Sequence, residues 1–366
     1  MKPHLKALIL AGGFATRLRP LSCTRPKILF PVLNKPLLEW TLESLARSGI
    51  KEAILAVNHQ TALHIKNSKF SKSKMKITYS YDPPKKPLGT GGAIKHAEEL
   101  LRSDDQFLVV NGDIFTSINY AEIVKAHEEK GAVATIALFT VKDPSRYGVA
   151  ELEDNGKIKR FIEKPPPDAC PSNLINAGIY VLTNEIFKYI PKGRKVSLER
   201  EIFPKLVEEG KLFGYMFNGL WTDIGKAEDY LEINKILLDK LNWEQKNVVW
   251  EKVKIEKPVF SDESVTIKDG SAIGPYVVLG KNVSVGRNVH IKNSIIFSGV
   301  SISDFSLIDG AIIGENAVVG ERVKISRNCV IGDHAVIGDD VSLAEGVSIC
   351  PAKEIFRDVS ESKCII

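Results

Sequence analysis

LAGGFATRLRPLSCTRPK, Leu10 to Lys27, overlaps the end of the apolar run Leu5–Ala11 (LKALILA) and decides what kind of domain begins here. The apolar run is too short for a helix and suits a strand buried on both faces of a parallel sheet. It ends on Gly12-Gly13, which permit positive φ and leave backbone N–H groups to wrap an anion. Arg17, Arg19, Arg25 and Lys27 follow, and Pro20 and Pro26 make the segment an ordered loop rather than a helix. Free amides followed by fixed cations suit a polyphosphate. The chain here has neither G-x-x-x-x-G-K-[ST] nor G-x-G-x-x-G, so it is not a P-loop or a dinucleotide fingerprint.

Working outward, helical spacing of apolar residues runs from Pro36 to Ser48 and stops at Gly49, the expected C′ glycine. Strands are expected at Glu52–Val57, Lys76–Tyr81, Phe107–Val110, Ala132–Thr140, Lys157–Glu163 and Leu174–Tyr180, with another starting at Tyr147. Helices are expected from Pro87-Leu88-Gly89-Thr90-Gly91-Gly92-Ala93 to about Leu101, over Asn119–Lys130, from a Ser197 N-cap to Glu209, and over Lys226–Leu241. Alternating strands and helices predict an α/β domain with a Rossmann-like, mostly parallel sheet. Ligands of such sheets sit beyond the carboxyl ends of the strands, where Gly12-Gly13 falls. The three glycines at 89, 91 and 92 are expected to offer free N–H groups, and Asp113, just past an apolar strand beside Gly112, can project into a cleft.

From about Ser261 the periodicity changes. Aliphatic residues recur every six positions at Ile267, Ile273, Leu279, Val285 and Ile291, then after one-residue slips at Ile296, Ile302 and Ile308, and from Ile313 to Ile349. Gly follows at 274, 280, 286, 314, 320, 332 and 338. This is the hexapeptide repeat of a left-handed parallel β-helix. Three hexads per turn give five coils, about 20–24 Å tall at strand spacing. The expected division is 1–240 catalytic, 241–260 linker, 261–351 β-helix and 352–366 tail.

At 366 residues and net charge +5 the chain is an ordinary globular protein of two domains, without the basic blocks of a nucleic-acid binder. Cys23, Cys170, Cys329, Cys350 and Cys364 form no C-x-x-C pair, so neither a disulfide framework nor a zinc site is signalled. The N-terminal apolar run lacks a cleavage site and no stretch approaches 18 apolar residues, so a cytoplasmic protein without a membrane partner is expected.

The motifs GGFATRLRPL…RPK, PLGTGGA, NGD, YGV, EKP, NAG and WTDIG together resemble the nucleotide-sugar pyrophosphorylases, the sugar-1-phosphate nucleotidyltransferases, over residues 4 to 355. The resemblance implies transfer of a nucleotidyl group from an NTP to a sugar 1-phosphate, with Mg²⁺ as cofactor. It implies that Arg17 and Lys27 grip the triphosphate, and that Leu10, Ala11, Gly12, Gly13, Gly89, Thr90 and Asp113 bind the nucleotide. Gly148, Glu163, Lys164, Asn176, Gly178 and Asp223 would then form the sugar-phosphate pocket, with Asp113 and Asp223 as the metal pair. Two departures stand out: Ala15 occupies a usual glycine position, and Pro84-Lys85-Lys86 replaces a glutamate that often precedes P-L-G-T. Were residue 15 to need φ > 0, alanine would cost about 1 kcal/mol. TGGAI and PAKEI lean toward the guanylyltransferase-like branch, GTP with mannose 1-phosphate; glucose-1-phosphate thymidylyl or uridylyl transfer stays open. The β-helix is expected to carry a homo-oligomer interface. Other readings the sequence admits are an acetyltransferase β-helix using His290 or His334, and a catalytically silent nucleotide-sugar sensor.

Overall fold

The computed structural model describes residues 5–13, 15–68, 75–83, 87–240 and 250–365. Pro84-Lys85-Lys86 and the 241–249 part of the expected linker lie outside them. The chain forms two compact units. One comprises the chain up to Gly13 and Leu38–Asp223; the other comprises 15–37 together with everything after Asp223. The cation-bearing loop and the last helix of the expected catalytic interval therefore belong with the C-terminal unit.

The first unit is a nine-stranded sheet with helices. In chain order its elements are β1 (Lys6–Leu10), α1 (Leu37–Arg47, of which Leu37 belongs to the second unit), β2 (Glu52–Val57), α2 (His59–Asn67), β3 (Lys76–Tyr81), α3 (Gly89–His96) and β4 (Gln106–Asn111). A short β5 (Ile114–Thr116), α4 (Tyr120–Lys130), β6 (Ala134–Thr140), β7 (Gly148–Leu152), β8 (Ile158–Glu163) and β9 (Leu174–Thr183) follow. Then come α5 (Phe203–Glu208), β10 (Leu212–Met216) and β11 (Trp221–Asp223). The sheet runs β8-β7-β9-β4-β1-β2-β3, with β6 joined to β9 and β10. Four neighbours, β4, β1, β2 and β3, are parallel. Their apolar residues explain why: Ala7, Leu8, Ile9, Leu55 and Val109 are buried on both faces, as only a helix-covered parallel sheet requires. The carboxyl ends of all four gather at one edge. β9 is antiparallel to β4 and β6, and its register with β6 shifts between Asn176 and Tyr180, a bulge at the N-A-G motif.

Two helices differ from expectation. The one opening at Gly89 breaks at Ala97 and resumes as Glu98–Leu101. The one expected from Ser197 opens as a π-helical turn, Leu198–Ile202, before α5. Pro204 has no N–H to donate into the preceding turn, which accounts for the irregular start. Ser197 caps it as expected, accepting from Arg200 N at 3.3 Å, and Glu201 returns a bond to Ser197 N at 3.0 Å.

The second unit contains α6 (Ala227–Lys240) and a parallel β-helix with three sheets of six, seven and six strands. Stacking begins at Lys254–Ile255 and continues to Cys364–Ile365, beyond the expected 261–351 at both ends, so two sheets are six strands deep and one is seven, rather than the five coils expected. The inward aliphatics read from the period pair directly: Ile273 with Ile291, Ile291 with Ile308, Ile296 with Ile313, and Ile313 with Ile331. Positive φ recurs at the corners every six residues, at Asn282, Asn288, Asn316 and Asn328 among others, and the two one-residue slips fall at the corners Asn293 and Gly310. Corner aspartates cap the coil beneath. Asp304, Asp333 and Asp339 accept through Oδ1 from the N–H of Arg287, Glu315 and Glu321 at 2.8, 2.7 and 2.7 Å.

Since Ile331 is wholly buried in this core, Ile331→Ala should lower unfolding free energy by about 2–5 kcal/mol. The outward neighbour Lys324→Ala should change it by less than about 0.5 kcal/mol in the same denaturant titration.

Candidate active site

The edge where the parallel strands end is tied together by the backbone. Ala11 N donates to Ala56 O at 2.8 Å and Gly112 N donates to Leu10 O at 2.8 Å. Leu10, Ala11, Gly12 and Asn111-Gly112-Asp113 thus come to one place. Gly12 lies against the Asp82 carboxylate, and Asn58 Nδ2 donates to Gly12 O at 3.3 Å. Neither Gly12 nor Gly13 adopts positive φ. Ala15, the residue standing at a usual glycine position, does take the left-handed conformation, at φ 46° and ψ 41°.

The PLGTGGA segment is held by Val196. Val196 O accepts from Gly91 N at 3.0 Å and Gly92 N at 3.3 Å, and Val196 N donates to Leu88 O at 2.9 Å. Those two amides are therefore committed to protein, contrary to the expectation of free N–H groups. Gly89 is required twice over: its φ is +72°, and a Cβ there would run into Val196 O. The Thr90 hydroxyl is likewise occupied, donating to Glu199 Oε2 at 2.7 Å and accepting from Leu198 N at 2.9 Å.

Glu199 was not singled out by sequence, because its helix reads as structural. It is the hub of a polar network. Besides Thr90, it accepts from Ser197 Oγ at 2.6 Å and from the Tyr180 phenol at 3.4 Å. Tyr180 OH accepts from Asn176 Nδ2 at 3.0 Å, and Asn176 Oδ1 accepts from Gly178 N at 2.9 Å. The only sequence signal for Glu199 is an acidic residue two positions after a helix-capping serine. Burial, then Glu199, push the Tyr180 pKa well up, so the phenol stays protonated. Burial, then Glu199, also raise the pKa of Glu163, opposed by Lys164 and Arg200. Glu163 lines Gly148, where a Cβ would lie 2.8 Å from its Oε2. Lys164 is exposed in a left-handed conformation, φ 52°, with Nζ 3.9 Å from Glu163 Oε1. Glu163 beside Gly148, and Asn176 with Gly178, are thus linked through Glu199 and Tyr180, with Lys164 exposed beside Glu163.

The ribbon of β5 and β11 completes the group. Asp223 pairs with Ile114, the neighbour of Asp113, so the two aspartates stand at one end of the ribbon. Trp221 fastens it to the N-A-G strand, donating from Nε1 to Ala177 O at 2.9 Å and packing edge-on to Tyr147 at 5.3 Å. Gly178, at φ +71°, lets Asn111 approach where a Cβ would collide with its carboxamide. Two carboxylates here, with no cluster of three His, Cys, Asp or Glu ligands among the described residues, suit a hard divalent cation that completes its shell with substrate phosphates and water.

Arg17 and Lys27 lie in the second unit, on two short 3₁₀ turns, Thr16–Leu18 and Lys27–Leu29. Arg17 is exposed and Lys27 half-buried. Arg25, between them, faces inward. Its Nη2 binds Asp333 Oδ2 at 3.0 Å and also contacts Glu315, and its guanidinium lies 5.1 Å from the Phe297 ring centre. Of the four cations read as a phosphate grip, Arg25 is committed to the β-helix.

Comparison with known proteins gives the family. Residues 6–240 match the nucleotidyl transferase family, and 255–365 match the GMPPB C-terminal domain. The chain belongs to the nucleotidyl transferase family, a class whose members generally use a divalent metal. It is 34% identical to a probable mannose-1-phosphate guanylyltransferase 3 of Oryza sativa subsp. japonica, covering 84% of this chain and 85% of that one. It is 40% identical to the mannose-1-phosphate guanylyltransferase catalytic subunit beta of Danio rerio, over 62% and 63% of the two chains. A solved structure of HddC from Yersinia pseudotuberculosis, complexed with GMP-PN, superposes with TM-score 0.55 at 28% identity, over 64% of this chain and 99% of that one. No helix among the described residues is long and apolar enough to cross a membrane.

The raised pKa of Glu163 has a signed consequence. Its folded pKa lies above the ordinary 4.5, so the ionised form is destabilising once pH exceeds that folded value. Glu163→Gln should raise Tm at pH 7, and the difference should vanish as pH falls below 4.5; thermal unfolding at pH 7 and pH 4 checks this.

Proposed function

We propose that the protein transfers a guanylyl group from GTP to mannose 1-phosphate, forming GDP-mannose and releasing pyrophosphate. The observation that carries the chemistry is the ribbon that brings Asp113 and Asp223 together beside the N-A-G bulge. The run of relatives named as mannose-1-phosphate guanylyltransferases supports the substrate pair.

A phosphate oxygen of the sugar phosphate attacks the α-phosphorus in line. A new O–Pα bond forms, and the bond from Pα to the bridging oxygen breaks with that oxygen leaving on pyrophosphate. The nucleophile is already anionic, so positioning and charge neutralisation suffice, without a covalent intermediate. Arg17 and Lys27 neutralise charge on the β- and γ-phosphates, a bidentate fork and a point charge respectively. Asp113 and Asp223 would hold Mg²⁺, which when bound neutralises phosphate oxygens. Leu10, Ala11, Gly12 and Gly13 line the nucleotide with backbone, and Gly89 gives the base a close approach. Thr90 contributes by orienting Glu199. Glu163 and Asn176 face the sugar hydroxyls, Gly148 and Gly178 leave the room they need, and Lys164 supplies a charge for the sugar phosphate.

All five cysteines are free thiols, which supports a reducing, cytoplasmic setting. The β-helix is the candidate oligomer surface; Phe305, Leu307 and Phe356 leave apolar side chains in water on it.

Purified protein with Mg²⁺, GTP and mannose 1-phosphate should release pyrophosphate faster than with any other NTP or sugar-1-phosphate pair, and chelation should stop it. Lys27→Ala should lower kcat by about 10²–10³. Unchanged turnover in that variant would overturn the role given to Lys27.

A further inference from the structure

We infer that Asp333, a corner residue of the β-helix, is a positioning residue for the triphosphate grip. It acts through Arg25 and Thr24 on the loop that carries Arg17 and Lys27, so the inference rests on the reading of those two cations given above.

Asp304, Asp333 and Asp339 do the same structural work with Oδ1, each capping an N–H one coil below. Only Asp333 uses its second oxygen on residues of the loop. Oδ2 accepts from Thr24 Oγ1 at 2.6 Å and from Arg25 Nη2 at 3.0 Å. Asp333 is buried, whereas Asp304 is half-buried and Asp339 exposed. A corner cap needs neither the burial nor the second set of bonds.

The other end of the contact is built to match. Arg25 is largely out of water, and burial works against its charge, yet Asp333 and Glu315 outweigh that and hold the guanidinium firmly protonated. Phe297 adds a ring face. Pro26 then joins Arg25 to Lys27 with a fixed φ of −66°, leaving little slack between the anchored cation and the one that must meet phosphate. Downstream the same loop is pinned again: Asn34 Nδ2 donates to Leu279 O at 2.7 Å, Asn234 Oδ1 accepts from Leu33 N at 2.9 Å, and Tyr230 OH bonds Pro31 O. The β-helix side of the molecule therefore sets where Lys27 stands. An ångström of misplacement there is enough to cost a large factor in rate.

Asp333→Asn keeps the Oδ1 cap and removes the charge that holds Arg25. Steady-state kinetics with GTP and mannose 1-phosphate should show the KM for GTP raised, or kcat lowered, by about tenfold or more, with the KM for the sugar phosphate within twofold of wild type. Arg25→Gln should give the same pattern from the loop side, and decides alone if Asp333→Asn does not fold. The double variant should be no worse than the poorer single one. Asp304→Asn and Asp339→Asn, which lose only a corner charge, should stay within twofold. Wild-type GTP parameters in Asp333→Asn, an equal loss in Asp304→Asn, or single effects that multiply in the double variant each overturn the inference. Lys27→Ala separates the two layers. If it is impaired while Asp333→Asn is not, the tether is wrong; if it too is unimpaired, the grip itself is wrong and the tether falls with it.

Discussion

Parallel pairing of strands is the constraint that both units obey. Two parallel neighbours cannot be joined by a tight turn, so the chain must cross over between them. In the first unit the crossings between β1, β2, β3 and β4 run through helices, and all four strands end at the same edge. Ligands of such sheets sit beyond the carboxyl ends of the strands, the edge where Leu10, Ala11 and Gly12 come together with Asn111 and Gly112. In the second unit the crossing is made by the other two sides of a triangular coil, so a strand pairs with the one 16 to 18 residues on, as Ile349 does with Ile365, Ile296 with Ile313 and Ile273 with Ile291. One hydrogen-bonding rule yields a sheet with an open binding edge in one place and a closed stack in the other.

The polar network around Glu199 depends on satisfying half-buried polar groups. Glu199 collects donors from Thr90, Ser197 and Tyr180, and Tyr180 in turn takes one from Asn176. Each bond nets about 1 kcal/mol, while leaving one such group unpaired costs about 1–3 kcal/mol, so the network is more costly to break than its bonds suggest. It also fixes the carboxamide of Asn176, and it keeps a second carboxylate close to Glu163, which adds to burial, the larger cause, in making that residue reluctant to ionise.

Elements set by local periodicity were legible in the sequence. The strands at Glu52–Val57 and Lys76–Tyr81 and the inward ladder from Ile273 to Ile349 stand where the pattern puts them. So does the helix expected over Asn119–Lys130, which is α4 at Tyr120–Lys130 with Asn119 as its cap, accepting from Ala121 N at 3.1 Å. What could not be read is whatever depends on a distant partner. The two-stranded ribbon of β5 and β11 is three residues on each side and joins segments about a hundred residues apart, too short to leave a periodic signal. Glu199 looks like any first-turn glutamate until Thr90 and Tyr180 are brought to it. The amides of Gly91 and Gly92 look free until Val196 O is seen to accept both. At Ala15 the sequence posed the question and only the backbone answered it, with the alanine itself in the left-handed conformation.

Arg25 shows why residue type alone does not assign a charge. Arg17, Arg19, Arg25 and Lys27 are equivalent by composition, and a polyphosphate would accept any of them. The partners of Arg25 are 290 and 308 residues away, at Glu315 and Asp333. With two carboxylates against one guanidinium, that corner of the loop carries no positive surplus for a ligand. Arginine suits the place better than lysine would: its fixed planar fork spans two acceptors and stacks on Phe297, where an ammonium would act as a single mobile point charge. Composition alone leaves Arg25 among the phosphate-binding cations; its distant partners make it the anchor of a loop whose turns on either side carry Arg17 and Lys27.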